Sequence, residues 1–396
     1  MSDIATVLTT TIRLRPTPAA TTITGATVMT PSGLVPDTTV TIEDGLIATV
    51  GGAVRGQTVA GEGLLLLPGI IDLHGDAFER ALSPRPGTIL PVPLALAEND
   101  AWLLAAGITT SFCSITDSYE PGLRSRATSR QLIEHLHGSD ALPLACDTRV
   151  HLRHEVCLTE GHEELMSWLD KGWVDLLSTA DHLPNQDDAR KQQRYRNALS
   201  RRLAMDDQAV NRLIAETSAQ RELGRRQERE MAEQALLLGI PLASHDDDSH
   251  EAVLTSLGRG VAICEFPATA AIARLARSGG ATVLMGAPNW VRGGSHLGLL
   301  SVAEAIDAGV VDALCSDYHY PSLFHAPFLL DRRQVMSLPC AWDLVSLRPA
   351  RAAGMRSKGR IAPGYAADLL LVDGWTHDLP CLASVFVAGR EVARYS

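Results

Sequence analysis

The feature that most constrains the fold is an alternation of short apolar segments with amphipathic ones through the middle of the chain. The apolar segments have the length of buried strands, and the segments between them have the period of helices. This pattern predicts an α/β fold, a parallel (β/α)8 TIM-like barrel. A doubly wound sheet is the main competitor, but no Gly-x-Gly-x-x-Gly follows the first strand. Strands are predicted at 69–74, 107–115, 147–153, 173–180, 240–245, 260–266, 281–287 and 310–316, and helices at 127–137, 225–238, 268–278 and 300–308.

The two ends of the chain carry a different pattern, in which short alternating stretches are separated by Gly, Pro and Asp. This pattern is typical of antiparallel strands and predicts one small β-sandwich built from both ends. We place the sandwich at 1–66 and 358–396 and the barrel at 67–357. A charged segment at 186–231 interrupts the repeat after the fourth strand and reads as a helical insert. It is either a solvated helical face or a lid over an anion.

Composition excludes several classes of function. The net charge of −11 argues against nucleic-acid binding. No apolar run reaches the roughly 18 residues of a membrane span, and the first thirty residues lack the apolar core of a secretory signal. Seven scattered cysteines without Cys-x-x-Cys indicate reduced thiols. We therefore expect a cytoplasmic enzyme without nucleic-acid or membrane partners.

Polar side chains end six of the eight predicted strands. His74 and Asp76 leave the same face of the first strand because side chains alternate. Alone, this His-x-Asp pair favours an ordinary strand end whose histidine is satisfied by hydrogen bonds. A parallel barrel, however, gathers its active site at the carboxyl ends of its strands. Histidine and carboxylate without cysteine then indicate a hydrolytic site for Zn, Mn, Fe or Ni. The other polar ends carry Arg153 and Glu155, Asp181 and His182, His245 and Asp246, Asn289, and Asp317.

Three motifs resemble the amidohydrolase superfamily: LLPGIIDLH at 66–74, SD at 316–317 and GRIAPGYAADL at 359–369. The resemblance spans 22–396 and implies a metal-dependent barrel with a flanking β-sandwich. The first motif of that family is usually His-x-His, whereas here Asp76 takes the second place. Many members bridge two metals with a carboxylated lysine, and none of Lys171, Lys191 and Lys358 suits that position. Because some members use a glutamate early in the barrel, we expect Glu155 to take this role.

A sharper resemblance is to one branch, the diphosphatases of the carbon–phosphorus lyase pathway. These enzymes cleave ribose 1-methylphosphonate 5-triphosphate to the 5-phosphate and pyrophosphate. The resemblance implies a phosphorylated sugar as substrate and is compatible with a homo-oligomer. The motifs that carry it are DLHGD (72–76), SPRPG (83–87), HLRHE (151–155), ASHDD (243–247), EFP (265–267), LMGAPN (284–289), RGGSH (292–296) and SDY (316–318).

The same resemblance implies the site residues. It implies that Asp317 takes a proton from the attacking water in addition to binding a metal ion. Arg153 could instead form an ion pair with Asp181 or Asp246, and His296 could be an ordinary exposed loop residue. The implied ligands of divalent metal ions, two in number and zinc first, are His74, Asp76, Glu155, His182, His245 and Asp317. The implied substrate-binding residues are Arg153, Asn289, Arg292, Gly293, Gly294, Ser295 and His296.

Two departures from the branch are visible. The branch favours threonine where Gly75 stands, and we expect this change to be harmless because that side chain would point away from the ligands. One extra residue in the segment 318–321 is expected to reshape the rim. Since a barrel metal site does not by itself distinguish phosphoryl from acyl transfer, a C–N hydrolase such as a cyclic amidase or deaminase stays open. An inactive scaffold also stays open, although every implied ligand is present.

Overall fold

Eight parallel strands form the predicted barrel. The computed structural model describes residues 19–85, 87–139, 141–184, 189–295 and 298–395, so that His296 lies outside the described residues. The strands follow chain order around the barrel, and a parallel bridge between Gly75 and Asp317 joins the last strand to the first. All eight predicted strands are confirmed: β6 (Ile70–Gly75), β7 (Ile108–Asp117), β8 (Asp147–Glu155), β9 (Leu176–Ala180), β10 (Leu242–His245), β11 (Ile263–Glu265), β12 (Thr282–Gly286) and β13 (Ala313–Cys315).

Helices follow the strands, as the periodicity predicts, and side-chain caps begin several of them. Ser249 and Thr269 each accept a hydrogen bond from the third backbone N–H beyond them. The helices are α1 (Glu79–Leu82), α2 (Val92–Ala105), α3 (Arg126–His137), α4 (His162–Asp170), α5 (Ala189–Leu203), α6 (Asp207–Ser218), α7 (Arg221–Leu237), α8 (His250–Gly258), α9 (Ala270–Ser278), α10 (Ala287–Arg292), α11 (Val302–Asp307), α12 (Tyr320–Arg332), α13 (Leu338–Asp343) and α14 (Leu347–Ala352).

The two chain ends form a second sheet with its own apolar core. Its strands are ordered β16-β15-β14-β5-β1-β2-β3, and β4 pairs with β1. The predicted fold class, a (β/α)8 barrel beside a small β domain built from both ends, is therefore confirmed. The strands of this sheet are β1 (Ala20–Thr30), β2 (Gly33–Glu43), β3 (Leu46–Val50), β4 (Gln57–Ala60), β5 (Leu65–Pro68), β14 (Leu369–Asp373), β15 (Cys381–Val387) and β16 (Arg390–Arg394).

Polar contacts fasten this terminal sheet to the barrel at the end opposite the strand carboxyl ends. Lys358 Nζ lies 2.8 Å from a carboxylate oxygen of Asp147, at the start of β8, and 2.8 Å from Asp368 just before β14. The indole N–H of the buried Trp342 donates to the carbonyl of Pro68 at 2.9 Å. The carboxyl-end face of the barrel is thereby left to the loops and the charged insert. Within the described residues, no helix combines the length and apolarity needed to cross a membrane.

Candidate active site

The seam that closes the barrel positions three of the predicted site residues. Asp72 is fully buried and accepts hydrogen bonds from the backbone N–H groups of Ser316 at 2.9 Å and His74 at 3.3 Å. The N–H of Asp317 donates to the carbonyl of His74 at 2.8 Å, and the N–H of Asp76 donates to the carbonyl of Asp317 at 3.0 Å. Burial raises the pKa of Asp72 to about 6. The backbone thus fixes His74, Asp76 and Asp317 at one point of the rim.

A first cluster joins the ends of β6, β10 and β11. His74, His245 and Glu265 offer nitrogen and oxygen atoms that all lie within 4.8 Å of one another. The two imidazole rings stack with centroids 5.2 Å apart, and each Nδ1 faces one oxygen of Glu265, at 3.0 Å from His74 and 3.2 Å from His245. Burial, with a further contribution from the guanidinium of Arg153, lowers the pKa of both histidines well below its usual range. Neutral imidazoles are the form that binds metals.

A second cluster shares His245 with the first. Ligand atoms of His182, His245 and Asp246 also lie within 4.8 Å of one another. His182 Nδ1 contacts a carboxylate oxygen of Glu155. Burial alone would raise the pKa of Glu155, but the charge and the hydrogen bond of His182 bring it below its usual value. The carboxylate of Glu155 in turn raises the pKa of His182. Glu155 therefore contacts His182 and orients its imidazole ring.

The donor atoms of both clusters fit divalent metal ions. His74 Nδ1 and Glu265 Oε1 are buried, yet neither has a hydrogen-bond partner of acceptable geometry among the described residues, although only 3.0 Å separates them. Buried polar atoms without partners are costly, and a shared cation would remove that cost. Nitrogen and oxygen donors without sulfur suit Zn, Mn, Fe or Ni. The geometry of these side chains is thus compatible with a metal centre.

Three residues just beyond barrel strands adopt left-handed backbone conformations. The φ angles are 56° at Asp246, 52° at Phe266 and 54° at Asp317. This conformation costs a non-glycine residue on the order of 1 kcal/mol, and such strain concentrates at functional sites. Gly286 leaves space beside Asp317, since a Cβ there would lie 3.2 Å from Asp317 Oδ2. Burial, helped by the charge of Asp76, raises the pKa of Asp317 to about 7.

A cavity of about 220 Å³, here called the metal-side cavity, adjoins the first cluster. Arg153 enters it with Nη2 3.0 Å from His245 Nε2 and Nη1 3.9 Å from Asp76 Oδ2. The ion-pair partner of Arg153 is therefore Asp76, and neither Asp181 nor Asp246 takes that role. Asn289 Oδ1 is buried without a hydrogen-bond partner among the described residues. The cavity brings together the predicted residues His74, Asp76, Arg153, His245, Asn289, Ser295 and Asp317.

Arg292 and the two glycines after it belong to the loop that follows α10. Arg292 is exposed and donates to the carbonyl of Gly294 at 3.0 Å, and neither Arg292 nor the two glycines line the cavity. Gly293 and Gly294 have φ angles of 90° and 158°, and the left-handed turn at Gly293 favours glycine. Arg292 therefore caps its own loop in this conformation.

A larger cavity of about 980 Å³ lies on the other side of the metal clusters and is here called the roofed chamber. It shares His245 and Asp246 with the metal-side cavity and includes His182. Helix α5 of the charged segment contributes Lys191, Arg194 and Tyr195 to its lining. The charged segment thus contacts the same space as the candidate ligands.

Sequence reasoning assigned no role to Glu265 or Arg124, and it named Asp246 only as a polar strand end and as an alternative ion-pair partner of Arg153. Glu265 is the last residue of β11, while the predicted strand ran on to residue 266, so its carboxylate was not counted as a strand end. When the end of the strand is taken from the observed β11, Glu265 is counted among the polar side chains at strand ends. Arg124 lines the metal-side cavity and makes a bidentate ion pair with Glu79, with two contacts of 2.9 Å. It follows strand β7 in a loop without a recognisable motif, and no sequence signal pointed to it.

Gly75 lies in a crowded part of the barrel seam, and the expectation that glycine is harmless here stays a prediction. A Cβ on Gly75 would lie 2.6 Å from Asp72 Oδ2, 2.9 Å from Ser316 Oγ and 2.9 Å from a ring carbon of Tyr320. The position does point away from the ligands, but it points into a closely packed seam. Tyr320 belongs to the segment with the extra residue, and its hydroxyl donates to Asn99 Oδ1 at 2.8 Å. The two departures from the branch are therefore in contact.

The three lysines lie apart from both clusters. Lys171 Nζ lies 4.7 Å from the ring centroid of Trp173. Lys358 belongs to the junction with the terminal sheet, and Lys191 Nζ lies 3.4 Å from Asp248 at the chamber. The described partners of the three lysines thus lie outside both clusters.

Comparison with known proteins reveals similarity along most of the chain. The amidohydrolase family profile matches residues 225–393. The alpha-D-ribose 1-methylphosphonate 5-triphosphate diphosphatase of Escherichia coli (strain K12) is 34% identical over 323 residues, 80% of this chain and 85% of that protein. An amidohydrolase from an environmental sample of the Sargasso Sea superposes with a TM-score of 0.62 at 18% identity, covering 95% of this chain and 93% of that one. A putative prolidase from Bifidobacterium longum gives 0.61 at 17%, covering 96% of both chains. At these low identities the two structures show a shared fold alone.

Proposed function

The chain belongs to the amidohydrolase superfamily, and from that premise we propose that it is a metal-dependent diphosphatase. Its substrate would be ribose 1-methylphosphonate 5-triphosphate, cleaved to the 5-phosphate and pyrophosphate. The similarity to a diphosphatase of that specificity, at 34% identity over 80% of the chain, supports the proposal. The structural observation that carries it is the cavity beside the nitrogen and oxygen donors, whose lining includes the guanidinium groups of Arg124 and Arg153.

Two divalent metal ions, with zinc as our first expectation, would be held by the two clusters that share His245. Glu265 and Asp246 join the ligands inferred from the sequence, while Glu155 orients His182. Such ions polarise phosphoryl oxygens and supply hydroxide from bound water near neutral pH. The residues near the clusters then determine where the phosphates lie and where the proton goes.

Asp317 is placed to accept the proton of the attacking water. Its backbone is locked to His74 and Asp76 across the seam, and its carboxylate lines the metal-side cavity. A base held by its backbone needs little reorganisation when the proton arrives.

Arg153, Arg124 and the side-chain amide N–H of Asn289 would contact the phosphate oxygens. Guanidinium groups bind phosphate in bidentate fashion and stabilise the charge that develops on the leaving group. Arg292, with Gly293, Gly294 and Ser295, takes a second place in the proposal, because in this conformation Arg292 donates to its own loop. Arg153 and Arg124 line the metal-side cavity, whereas Arg292 lies outside its lining.

The test is an analysis of products with purified protein supplied with Zn²⁺ or Mn²⁺. We expect pyrophosphate from ribose 1-methylphosphonate 5-triphosphate, measured by an enzyme-coupled pyrophosphate assay. Cyclic amides and adenine serve as control substrates for C–N hydrolysis. Hydrolysis of a control substrate without pyrophosphate release would contradict the diphosphatase proposal and favour a C–N hydrolase.

A further inference from the structure

The charged insert forms a roof over the chamber beside the metal clusters. At the start of α5, Lys191 Nζ lies 3.4 Å from Asp248, which follows β10. Farther along the helix, the hydroxyls of Tyr195 and Tyr119 are hydrogen-bonded. Near its end, Arg202 Nε donates to Glu120 Oε2 at 2.8 Å. Since Tyr119 and Glu120 follow β7, the helix is tethered to loops after the second and the fifth barrel strands and so crosses the barrel mouth.

The two cavities differ in size, and their sizes suit different parts of the substrate. Pockets for drug-sized ligands measure about 300–1,000 Å³. The metal-side cavity, at about 220 Å³, is smaller than that range and suits a short phosphate chain. The roofed chamber, at about 980 Å³, has room for a sugar with a further substituent. Both cavities include His245 and Asp246 in their lining, so they adjoin at the candidate metal ligands.

Most charged groups of the roofed chamber are already paired. Arg225 contacts Asp181 Oδ2 at 2.8 Å and Glu228 Oε2 at 3.0 Å, and Arg259 contacts Glu228 Oε1 at 2.6 Å. Arg194 differs, because it makes no ion pair or hydrogen bond within the described parts of the chain. Glu251, in the first turn of α8, is a carboxylate in the same lining.

We propose that Arg194 binds an anionic substituent on the sugar, at the end remote from the triphosphate. This inference rests on the proposed function and extends it, because it makes the insert the part of the enzyme that recognises a substrate carrying negative charge at both ends. The class of substrate is a ribose 5-triphosphate with a phosphonate or phosphate group at C1. Arg194 is a substrate-binding residue in this account and takes no part in the proton transfer.

The test compares two substrates, ribose 1-methylphosphonate 5-triphosphate and ribose 5-triphosphate, which lacks the anion at C1. We expect Arg194→Ala to lower kcat/KM for the first by about tenfold, mainly through KM, as for the loss of one charge-assisted hydrogen bond. For the second substrate the change should stay within about twofold. Arg201→Ala is the matched control, since Arg201 is exposed on the same helix and does not line the chamber.

An unchanged preference between the two substrates in Arg194→Ala would overturn the inference while leaving the diphosphatase proposal intact. An equal loss on both substrates would also overturn it, because Arg194 would then contact the phosphate chain or support the fold. If the wild-type protein cleaves neither triphosphate, the proposed function fails and this inference fails with it. Retention of the preference by Arg194→Lys, with loss in Arg194→Ala, would support recognition by charge.

Discussion

At the scale of single residues, the site depends on small side chains as much as on ligands. Gly75 separates His74 from Asp76, and its Cα faces Asp72, Ser316 and Tyr320 at distances that leave no space for a methyl group. Its φ angle is not among the left-handed ones, so steric space and not backbone conformation requires glycine here. Tyr320 occupies the volume that a larger residue at position 75 would need.

We therefore predict that Gly75→Ala destabilises the protein by about 1–3 kcal/mol, the usual cost of an added group in a packed core. Activity should fall as well, because the flanking residues His74 and Asp76 are candidate metal ligands. Gly258→Ala is the matched control, since a Cβ there meets nothing within 4 Å. Thermal unfolding of both variants measures the effect. Equal melting temperatures would mean that the seam adapts to the methyl group.

Which site residues the sequence could predict follows from how each residue is held. His74, Asp76, His245 and Asp317 end apolar strands, and strand ends are visible in the hydrophobic pattern. Glu265 was missed because the boundary of a short strand is uncertain by one or two residues. Arg124 and Arg194 lie in a loop and in a helix whose position depends on tertiary contacts, and local patterns do not contain that information.

At the scale of elements, helix α5 is held by long side chains more than by a packed apolar face. Leu199 is its one buried residue among those described. Arg202 makes a bidentate contact with Glu120, whose side chain is only 10% exposed. A helix with few buried apolar contacts opens at low cost.

We predict that Arg202→Ala loosens α5 without unfolding the barrel. Because Arg202 is partly exposed, its ion pair should contribute about 1 kcal/mol, which corresponds to about fivefold faster amide exchange in the helix. Hydrogen exchange followed by mass spectrometry measures this, with Arg201→Ala as the control. If the exchange rates of α5 were the same in both variants, the tether to Glu120 would not hold the helix.

The spacing of the apolar residues was sufficient to predict the eight barrel strands and four of the helices. It was not sufficient to predict that α5 crosses the barrel mouth. The charged segment has strong helical character but no long apolar stripe, so nothing in its sequence specifies which loops it contacts. Its tethers are pairs such as Tyr119 with Tyr195, which are distant in sequence.

At the scale of the whole molecule, Lys358 joins the terminal sheet to the barrel. Burial would lower the pKa of Lys358, but Asp368 and Asp147 raise it above its usual value. Burial would likewise raise the pKa of Asp147, but Lys358 outweighs that effect and holds it below its usual value. The contribution of Asp147 is therefore present above about pH 4 and is lost as the pH falls through its folded value. That of Lys358 is present below about pH 10 and is lost as the pH rises through its folded value.

We predict that Lys358→Met lowers the free energy of unfolding by about 2 kcal/mol at pH 7, intermediate between exposed and fully buried ion pairs. The difference from wild type should shrink below about pH 4, where Asp147 becomes protonated in the unfolded chain. Denaturant unfolding at the two pH values measures it. Lys171→Met, at an exposed lysine, is the control. A difference that does not depend on pH would indicate that packing of the lysine stem, and not its charge, joins the two parts.

The β character of both chain ends was predictable, because alternation and turn residues are local signals. Their pairing in space was less so. Strand β14 lies antiparallel to β5, with Leu370 opposite Leu67, although most of the sequence separates the two strands. Register of this kind is determined by which apolar side chains share a core, and it requires the folded barrel to bring the ends together.

The central claim is that this chain is a metal-dependent diphosphatase. The most direct measurement is 31P NMR of ribose 1-methylphosphonate 5-triphosphate incubated with protein stripped of metal and then reconstituted with Zn²⁺ or Mn²⁺. We predict no turnover without metal, close to two bound ions per chain after reconstitution, and the 5-phosphate and pyrophosphate in equal amounts. Asp317→Asn should keep its fold but lose most turnover. Full activity of the stripped protein or of Asp317→Asn, or the absence of pyrophosphate, would contradict the claim.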